Sequence, residues 1–399
     1  MLDAIDKPLV DVGVADRPAL ERNAALRGLA CLHCGTHYSL HLVHSGCLAC
    51  AQQGVHVSLA ANYERSPGRA TYLPYAQPFS LGEGRTPLTE NKLLATSLGI
   101  GQLHIKDESA NPTGSHKDRM SALGVTQALD FGAHTIVLAS SGNAAISAAR
   151  YAQAAGLECE VATYADMPAA YSEELDACGA KRFMFHDNAG RWAFVAQRAL
   201  LPGYFALTNY HLPALGSAPL AIEGYKAIAY ECQADGYLPE HIMVPTARGD
   251  LAWGIYAGFR DLLDAGVIKA LPKIWVVEPF ARLSRVLVSR LSSVLAGHGL
   301  HDSFPGSTAQ FSTAGATVTY LQWQAATASG GGALVVPDEE ALTARKLLGS
   351  HGISAELCAA AGYAAIKQLH SVQAATAYSK VMLVLTANAS RDPSYLSLK

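Results

Sequence analysis

From about residue 102 onward, short β-rich runs alternate with alanine-rich segments of helical period, and this alternation constrains the fold more than any other feature. The runs Thr135–Ala139, Cys159–Thr163, His241–Val244, Ile274–Glu278, Ala333–Val336 and Val381–Leu385 predict strands. They lack polar alternation, as strands buried on both faces do. Helices are predicted over Lys117–Ala128, Asn143–Ala155, Asp250–Ala265, Glu339–His351 and Ala355–Leu369. A strand–helix–strand order needs crossover connections, so the class is α/β with parallel sheets covered on both faces. At about 150 residues per domain, 399 residues suggest two to three domains. The reading is a small N-terminal module over residues 1–65, a first α/β domain over 66–215 and a second over 216–399. The Pro- and Gly-containing stretch Leu201–Pro219 is the candidate seam between the last two, and a hinge candidate.

Half the residues are hydrophobic, enough for a large core. The formal charge of −3 argues against a protein whose main partner is nucleic acid. The long uncharged stretches Ala199–Ile222 and Ser303–Pro337 are broken by Pro, or by Ser, Thr, Gly and Gln, and predict no membrane span. The N-terminus MLDAIDKPLV has no basic patch followed by an apolar segment, so no secretory signal is read. Cys159, Cys178, Cys232 and Cys358 are scattered through apolar segments and read as reduced, buried thiols, with the cytoplasm as the expected compartment.

The other four cysteines form two pairs, Cys31/Cys34 and Cys47/Cys50, separated by residues 35–46. Two such knuckles on a hairpin can bring four thiolates onto a zinc ion. The pattern predicts a structural zinc ribbon, or a ribbon that has lost its metal. A closed four-thiolate site leaves no coordination position for chemistry. The nearby His33, His37, His41 and His44 then read as solvated loop positions.

Lys106-Asp-Glu-Ser-Ala-Asn-Pro-Thr-Gly-Ser-His-Lys117-Asp-Arg is the most informative segment. Pro112 and Gly114 make a turn, and Ser115 is the predicted N-cap. Lys117 then sits in a helix's first turn, where the dipole disfavours a cation and favours a nucleophilic amine. Ala139-Ser-Ser-Gly-Asn143 follows a strand and opens a helix, so its free N–H groups and hydroxyls suit an anion. Thr246–Asp250 offers a second such cradle. Thr386 places a hydroxyl at a strand's C-terminal end, where open α/β sheets build their sites.

Together these segments resemble the threonine synthase branch of the fold-type-II pyridoxal-phosphate enzymes. The resemblance is carried by Gly82-Glu-Gly-Arg-Thr-Pro-Leu88, Asn-Pro-Thr-Gly-Ser-His-Lys-Asp-Arg, Ser-Ser-Gly-Asn, the Val-Pro-Thr loop with its following Gly-Ile and Gly-Phe259, and Leu-Thr386 with Asp392-Pro393. It implies two α/β domains with pyridoxal 5′-phosphate between them, plus the zinc-ribbon-like N-terminus. It further implies that Lys117 holds the cofactor as a Schiff base and serves as base for the Cα proton. Asn143 meets the cofactor's phenolic oxygen, and Ser140, Ser141 and Gly142 receive the substrate carboxylate. Thr246, Ala247, Arg248, Gly249 and Asp250 cradle the cofactor phosphate, and Thr386 faces the pyridine nitrogen. A neutral hydroxyl there favours expulsion of a leaving group over transamination. A homodimer and closure of one domain over the substrate are also implied.

The expected activity is γ-elimination with β-replacement on a phosphorylated hydroxy-amino acid, with O-phosphohomoserine and water giving threonine as the leading case. A β-replacing synthase or a serine/threonine dehydratase is the alternative within the same chemistry. A non-catalytic, ribbon-containing binding protein is the alternative outside it. The chain departs from the family pattern at His116, where Phe is usual, at Met120, in the single-Gly phosphate loop, and in Thr-Ala-Asn-Ala-Ser-Arg-Asp-Pro near the C-terminus. These departures bear on the substrate contacts. His116 either shapes substrate choice or proton transfer, or packs in place of the Phe. Arg119 either meets a substrate anion or forms a structural salt bridge with Asp107, Glu108 or Asp118.

Overall fold

The computed structural model describes residues 20–41, 46–288, 303–372 and 374–392. Residues 1–19, His44 and Pro393 lie outside them. Three sheets organise the chain. The first is antiparallel, with β1 (Leu26–Cys31), β2 (His37–Tyr38) and β3 (Leu59–Tyr63) in the order β2-β1-β3. The second has four parallel strands, β6 (Thr135–Ala139), β7 (Glu158–Tyr164), β8 (Lys181–Phe185) and β9 (Tyr204–Ala206), in the order β8-β7-β6-β9.

The third sheet has six strands: β4 (Leu88–Glu90), β5 (Gln102–Asp107), β10 (His241–Pro245), β11 (Lys273–Glu278), β12 (Gly332–Val335) and β13 (Lys380–Leu385). Their order is β12-β11-β10-β13-β5-β4, parallel except for β4. This sheet is not contiguous in sequence. β5 pairs along its whole length with β13, from Gln102 opposite Lys380 to Asp107 opposite Leu385. Residues 88–107 thus sit in the same sheet as strands from the C-terminal half. The candidate seam at 201–219 contains β9, the edge strand of the four-stranded sheet.

The apolar runs explain why the strands form where they do. Ile242, Val244, Ile274, Val276, Met382 and Val384 enter one core. Their alternates Met243, Trp275, Val277, Val381, Leu383 and Leu385 enter another. Side chains alternate across a strand, so both faces of this sheet are buried. The helices Leu357–Ser371 and Asp338–Ser350 close one face. The helices Asp250–Asp264 and Tyr320–Ala328 close the other. The four-stranded sheet is covered likewise: Ile136, Leu138 and Val161 belong to the same core as Met120 and Val125 of the helix Lys117–Asp130. Val137 and Ala162 pack with Trp192 and Val195 of the helix Asn188–Ala199. The antiparallel sheet is seated on the main core through Leu29, Val57 and three of the paired cysteines, Cys31, Cys47 and Cys50. Among the described residues no helix is long and apolar enough to cross a membrane.

Candidate active site

The C-terminal ends of both parallel sheets open on one cavity of about 240 Å³. Residues just past β6, β9, β10 and β13 line it: Ser140, Thr208, Thr246 and Thr386. Crevices at the carboxyl ends of parallel strands are where α/β folds bind ligands. Of the residues singled out in the sequence, His116, Lys117, Ser140, Ser141, Gly142, Asn143, Thr246, Ala247, Arg248, Asp250 and Thr386 all line this cavity. Gly249 does not.

Lys117 is the first residue of its helix, and the position before it is His116 rather than Ser115. Ser115 still accepts from the Lys117 N–H, at 3.4 Å. The segment is stitched to the far end of the chain. Ser115 bridges Ala387, and the His116 N–H donates to the Thr386 carbonyl at 2.9 Å. Residues far apart in sequence thereby face one cavity. Asp118 locks the next turn, accepting from the Thr113 N–H and the Ser147 hydroxyl, each at 2.6 Å. Burial pushes the Lys117 amine below its usual value, Arg248 pushes it further, and Asp250 opposes. Burial acts in the same direction as the helix dipole inferred from sequence, and both favour the free amine. Burial, reinforced by Lys117, also keeps His116 neutral. Its Nδ1 lies 3.1 Å from the Thr386 carbonyl, which can only accept, so that nitrogen carries the proton.

Two helix N-termini point at the cavity. Asn143–Ala154 starts after Gly142, and the Gly142 N–H reaches the Ser140 hydroxyl at 3.3 Å. The Ser141 oxygen accepts from the Tyr164 N–H at 3.1 Å and the Thr163 hydroxyl at 2.9 Å, which fixes the loop. Asp250–Asp264 starts after Gly249, whose φ is +90°. Gly249 faces away from the cavity: a Cβ there would lie 2.5 Å from the Cβ of Gln322 and 2.6 Å from its Cα. Its N–H donates to the Thr246 hydroxyl at 3.1 Å. Glycine is needed both for the left-handed turn and for the close packing behind it. The Asp250 carboxylate is held by the Ser217 hydroxyl at 2.6 Å and the Ser217 N–H at 3.3 Å.

Two charged lining residues escaped the sequence reading. Glu356 precedes the helix Leu357–Ser371 and is buried. It accepts from the Asn143 amide at 3.1 Å and from the Ser312 hydroxyl. Burial is the largest influence on it and raises its carboxyl to about 7. Asp392, from the C-terminal motif, accepts from the Leu357 N–H at 2.8 Å and from Arg345 at 2.9 Å, anchoring that helix start. The second missed residue is Arg191, on Asn188–Ala199, which reaches the Ser141 hydroxyl at 3.3 Å. Neither Glu356 nor Arg191 carries a local signal, since both look like ordinary charges near helix starts. Arg119, by contrast, has left the site. It meets Glu108 at 2.6 Å and Glu231 at 2.6 Å in a buried network.

The raised Glu356 carboxyl has a measurable consequence. The folded chain holds its proton to about pH 7, whereas the unfolded chain releases it near the usual 4.5. Between those values the folded state binds more protons, so its stability falls as pH rises. Glu356→Gln removes this penalty. Its stability relative to wild type is expected to grow by roughly 3 kcal/mol from pH 4.5 to 8. Urea unfolding of both proteins at the two ends of that range checks this. A pH-independent difference rejects the assignment.

The residues fit pyridoxal 5′-phosphate. Burial loosens the proton on the Lys117 amine, which suits it to meet the aldehyde, two open helix starts suit two anions, and the buried Asn143 Oδ1 and Arg248 Nε have no protein partner. The cysteine cluster is separate and fits zinc. Its four sulfurs all lie within 4.8 Å of one another, with Cys31–Cys50 at 3.7 Å and Cys34–Cys47 at 3.6 Å. A tetrahedron with Zn–S bonds of about 2.3 Å has edges of about 3.8 Å. The His33 ring meets the Tyr320 hydroxyl at 3.2 Å, and His37 and His41 are exposed. Metal analysis of purified protein is expected to find about one zinc per chain, lost in Cys50→Ser with a fall in unfolding temperature. Full stability of the metal-free protein contradicts a structural role.

A family model described as pyridoxal-phosphate dependent enzyme matches residues 79–387. The threonine synthase of Methanosarcina acetivorans is 30% identical over 384 residues, covering 92% of each chain. That of Methanocaldococcus jannaschii is 28% identical over 339 residues, covering 81% of this chain and 79% of its own. A fungal L-serine ammonia-lyase from Rhizomucor miehei superposes with a TM-score of 0.64 at 18% identity, over 81% of this chain and 99% of its own. A threonine deaminase from T.th. superposes with a TM-score of 0.61 at 24% identity, over 76% of this chain and 92% of its own. With the lysine-bearing helix, both anion cradles and Thr386 falling inside the matched span, this chain belongs to the pyridoxal-phosphate dependent enzyme family.

Proposed function

We propose that this chain is a threonine synthase-like lyase that carries out γ-elimination and β-replacement on a phosphorylated hydroxy-amino acid, with O-phosphohomoserine to threonine and phosphate as the leading reaction. The observation that carries the reading is Lys117 in one cavity with two open helix starts and the neutral Thr386 hydroxyl. The relatives that bear the name threonine synthase match from 79% to 92% of the chain and support it. When bound, pyridoxal phosphate supplies an electron sink for the bond to the substrate's Cα.

The chain's residues divide the remaining work. The start of Asp250–Asp264, with Thr246, Ala247 and Arg248, holds the cofactor phosphate through N–H groups and one guanidinium. The start of Asn143–Ala154, with Ser140, Ser141 and Gly142, receives the substrate's α-carboxylate. Asn143 orients the cofactor through its amide, which Glu356 fixes from behind. Lys117 moves the Cα proton, and burial keeps its amine ready to accept it. Thr386 presents a hydroxyl instead of a carboxylate to the ring nitrogen, which limits the sink and favours departure of a leaving group. His116 is fixed by Thr386 as a neutral ring beside the lysine and bounds the substrate space. The working form is a cytoplasmic homodimer.

The test is phosphate release from O-phosphohomoserine with formation of threonine, run beside keto-acid formation from serine and threonine. Threonine formation supports the proposal. Keto-acid production without it assigns the chain to the dehydratases. A chain that takes up no pyridoxal phosphate is a binding protein.

A further inference from the structure

Arg191 is 5% exposed and lines the cavity, yet no carboxylate among the described residues pairs with it. Its Nη1 reaches the Ser141 hydroxyl at 3.3 Å, its Cζ lies 4.1 Å from the centre of the Tyr164 ring, and its buried Nε has no partner. Two buried guanidiniums away from the cavity do have carboxylates beside them. Arg119 meets two glutamates, and Arg282 lies 3.5 Å from Glu278. A buried cation without an anion is strongly disfavoured. The cost is sharpened here because Arg248 faces the same cavity and, after burial itself, is the influence that lowers Arg191, to about 10. Arg248 belongs to the cradle assigned to the cofactor phosphate. The α-carboxylate has the helix start at Asn143. Of the two guanidiniums lining the cavity, Arg191 is the one left without an anion.

We infer that Arg191 binds a second anion carried on the substrate's side chain, and so makes the cavity select amino acids with a phosphate ester over their neutral parents. This rests on the reading above that the cavity holds an amino acid beside pyridoxal phosphate. A phosphate offers acceptors to Nε and to the guanidinium's outer edge at once, which Ser141 does not. A neutral side chain leaves the charge buried and unpaired. Asn188, which accepts from the Tyr164 hydroxyl at 2.9 Å, completes a polar wall on the same side.

The experiment is spectral titration of the pyridoxal-phosphate-loaded protein with two pairs, O-phosphoserine against serine and O-phosphohomoserine against homoserine. Wild type is expected to favour the phosphorylated member of at least one pair. Arg191→Gln is expected to weaken that member on the order of 30-fold or more while changing its neutral parent less than about threefold. Arg191→Lys keeps the charge without the fork and should lose about tenfold. It carries the test if the Gln variant does not take up cofactor. Equal losses for both members assign Arg191 to the α-carboxylate or to the fold and overturn the inference, as does an unchanged preference. A wild type that takes up no cofactor fails at the earlier step and removes the ground for both readings. A coloured protein with an unaltered ratio removes only this one.

Discussion

Lys117→Ala is expected to lower turnover by about 10³-fold or more, because it removes both the amine that holds the cofactor and the base that moves the Cα proton. The chain folds around this residue without needing it. Its helix is fixed by Asp118, Ser147 and the bridge to Ala387, none of which involves the lysine side chain. The variant should therefore remain folded and bind pyridoxal phosphate non-covalently, losing the visible absorption of the covalent form while dialysis releases the cofactor. A second readout is independent of activity. Burial holds the folded amine below its ordinary 10.5, so at pH values between the two the unfolded chain binds the extra proton. Wild-type stability should rise with pH across that window, and the slope should vanish in the alanine variant. Retained turnover would remove Lys117 from the mechanism. A retained slope would place its amine in solvent.

Much of this site is legible in the sequence, and the reason is physical. Lys117, Asn143, Asp250 and Thr386 each stand at or just beyond the end of an apolar strand or the start of a helix, where local sequence reports geometry. The strands at 135–139, 241–245 and 380–385 are readable because burial on both faces leaves only apolar residues after the first position of each run. The same rule hides β5, Gln102–Asp107, which is not among the predicted strands: its two charges and its histidine break the apolar run. One of those charges, Lys106, is fully buried because Glu231 meets it at 2.6 Å, a partner more than a hundred residues away. β8, Lys181–Phe185, is an edge strand with two exposed positions, and its apolar run is only the three residues 183–185. Pairing of β5 with β13 is set by the crossover topology, which no local pattern encodes. Arg191 and Glu356 stay hidden for a related reason. Each becomes notable only when the fold sets it against a loop from elsewhere, Ser141 in one case and Asn143 in the other.

Arg119→Leu is expected to cost about 3–5 kcal/mol of stability, the usual penalty for taking one partner from a buried ion network. Arg119 binds Glu108 through Nε at 2.6 Å and Nη2 at 2.8 Å, and Glu231 through Nη1 at 2.6 Å and Nη2 at 2.8 Å. Lys106 meets Glu231 from the other side at 2.6 Å, so two cations balance two carboxylates. Glu108 is wholly buried, and removing the guanidinium leaves it with the Thr86 hydroxyl and the Asn111 amide alone. A natural domain holds only about 5–15 kcal/mol in total, so the loss should be plain in a urea midpoint. The cost belongs to the stranded charge rather than to the lost contact. Arg119→Leu combined with Glu108→Gln should therefore recover a large part of it, an interaction that a double-mutant cycle measures. Acid behaviour gives the sign a second check. Burial alone would raise Glu231, but Arg119 and Lys106 outweigh it and hold the carboxyl down at about 2. Wild type keeps that stabilisation above the ordinary 4.5 and loses it as pH falls toward 2, whereas the Arg119 variant has less of it to lose. A leucine variant as stable as wild type, with the same acid profile, would mean that the carboxylates are not ionised in the folded chain and that the network does not hold it together.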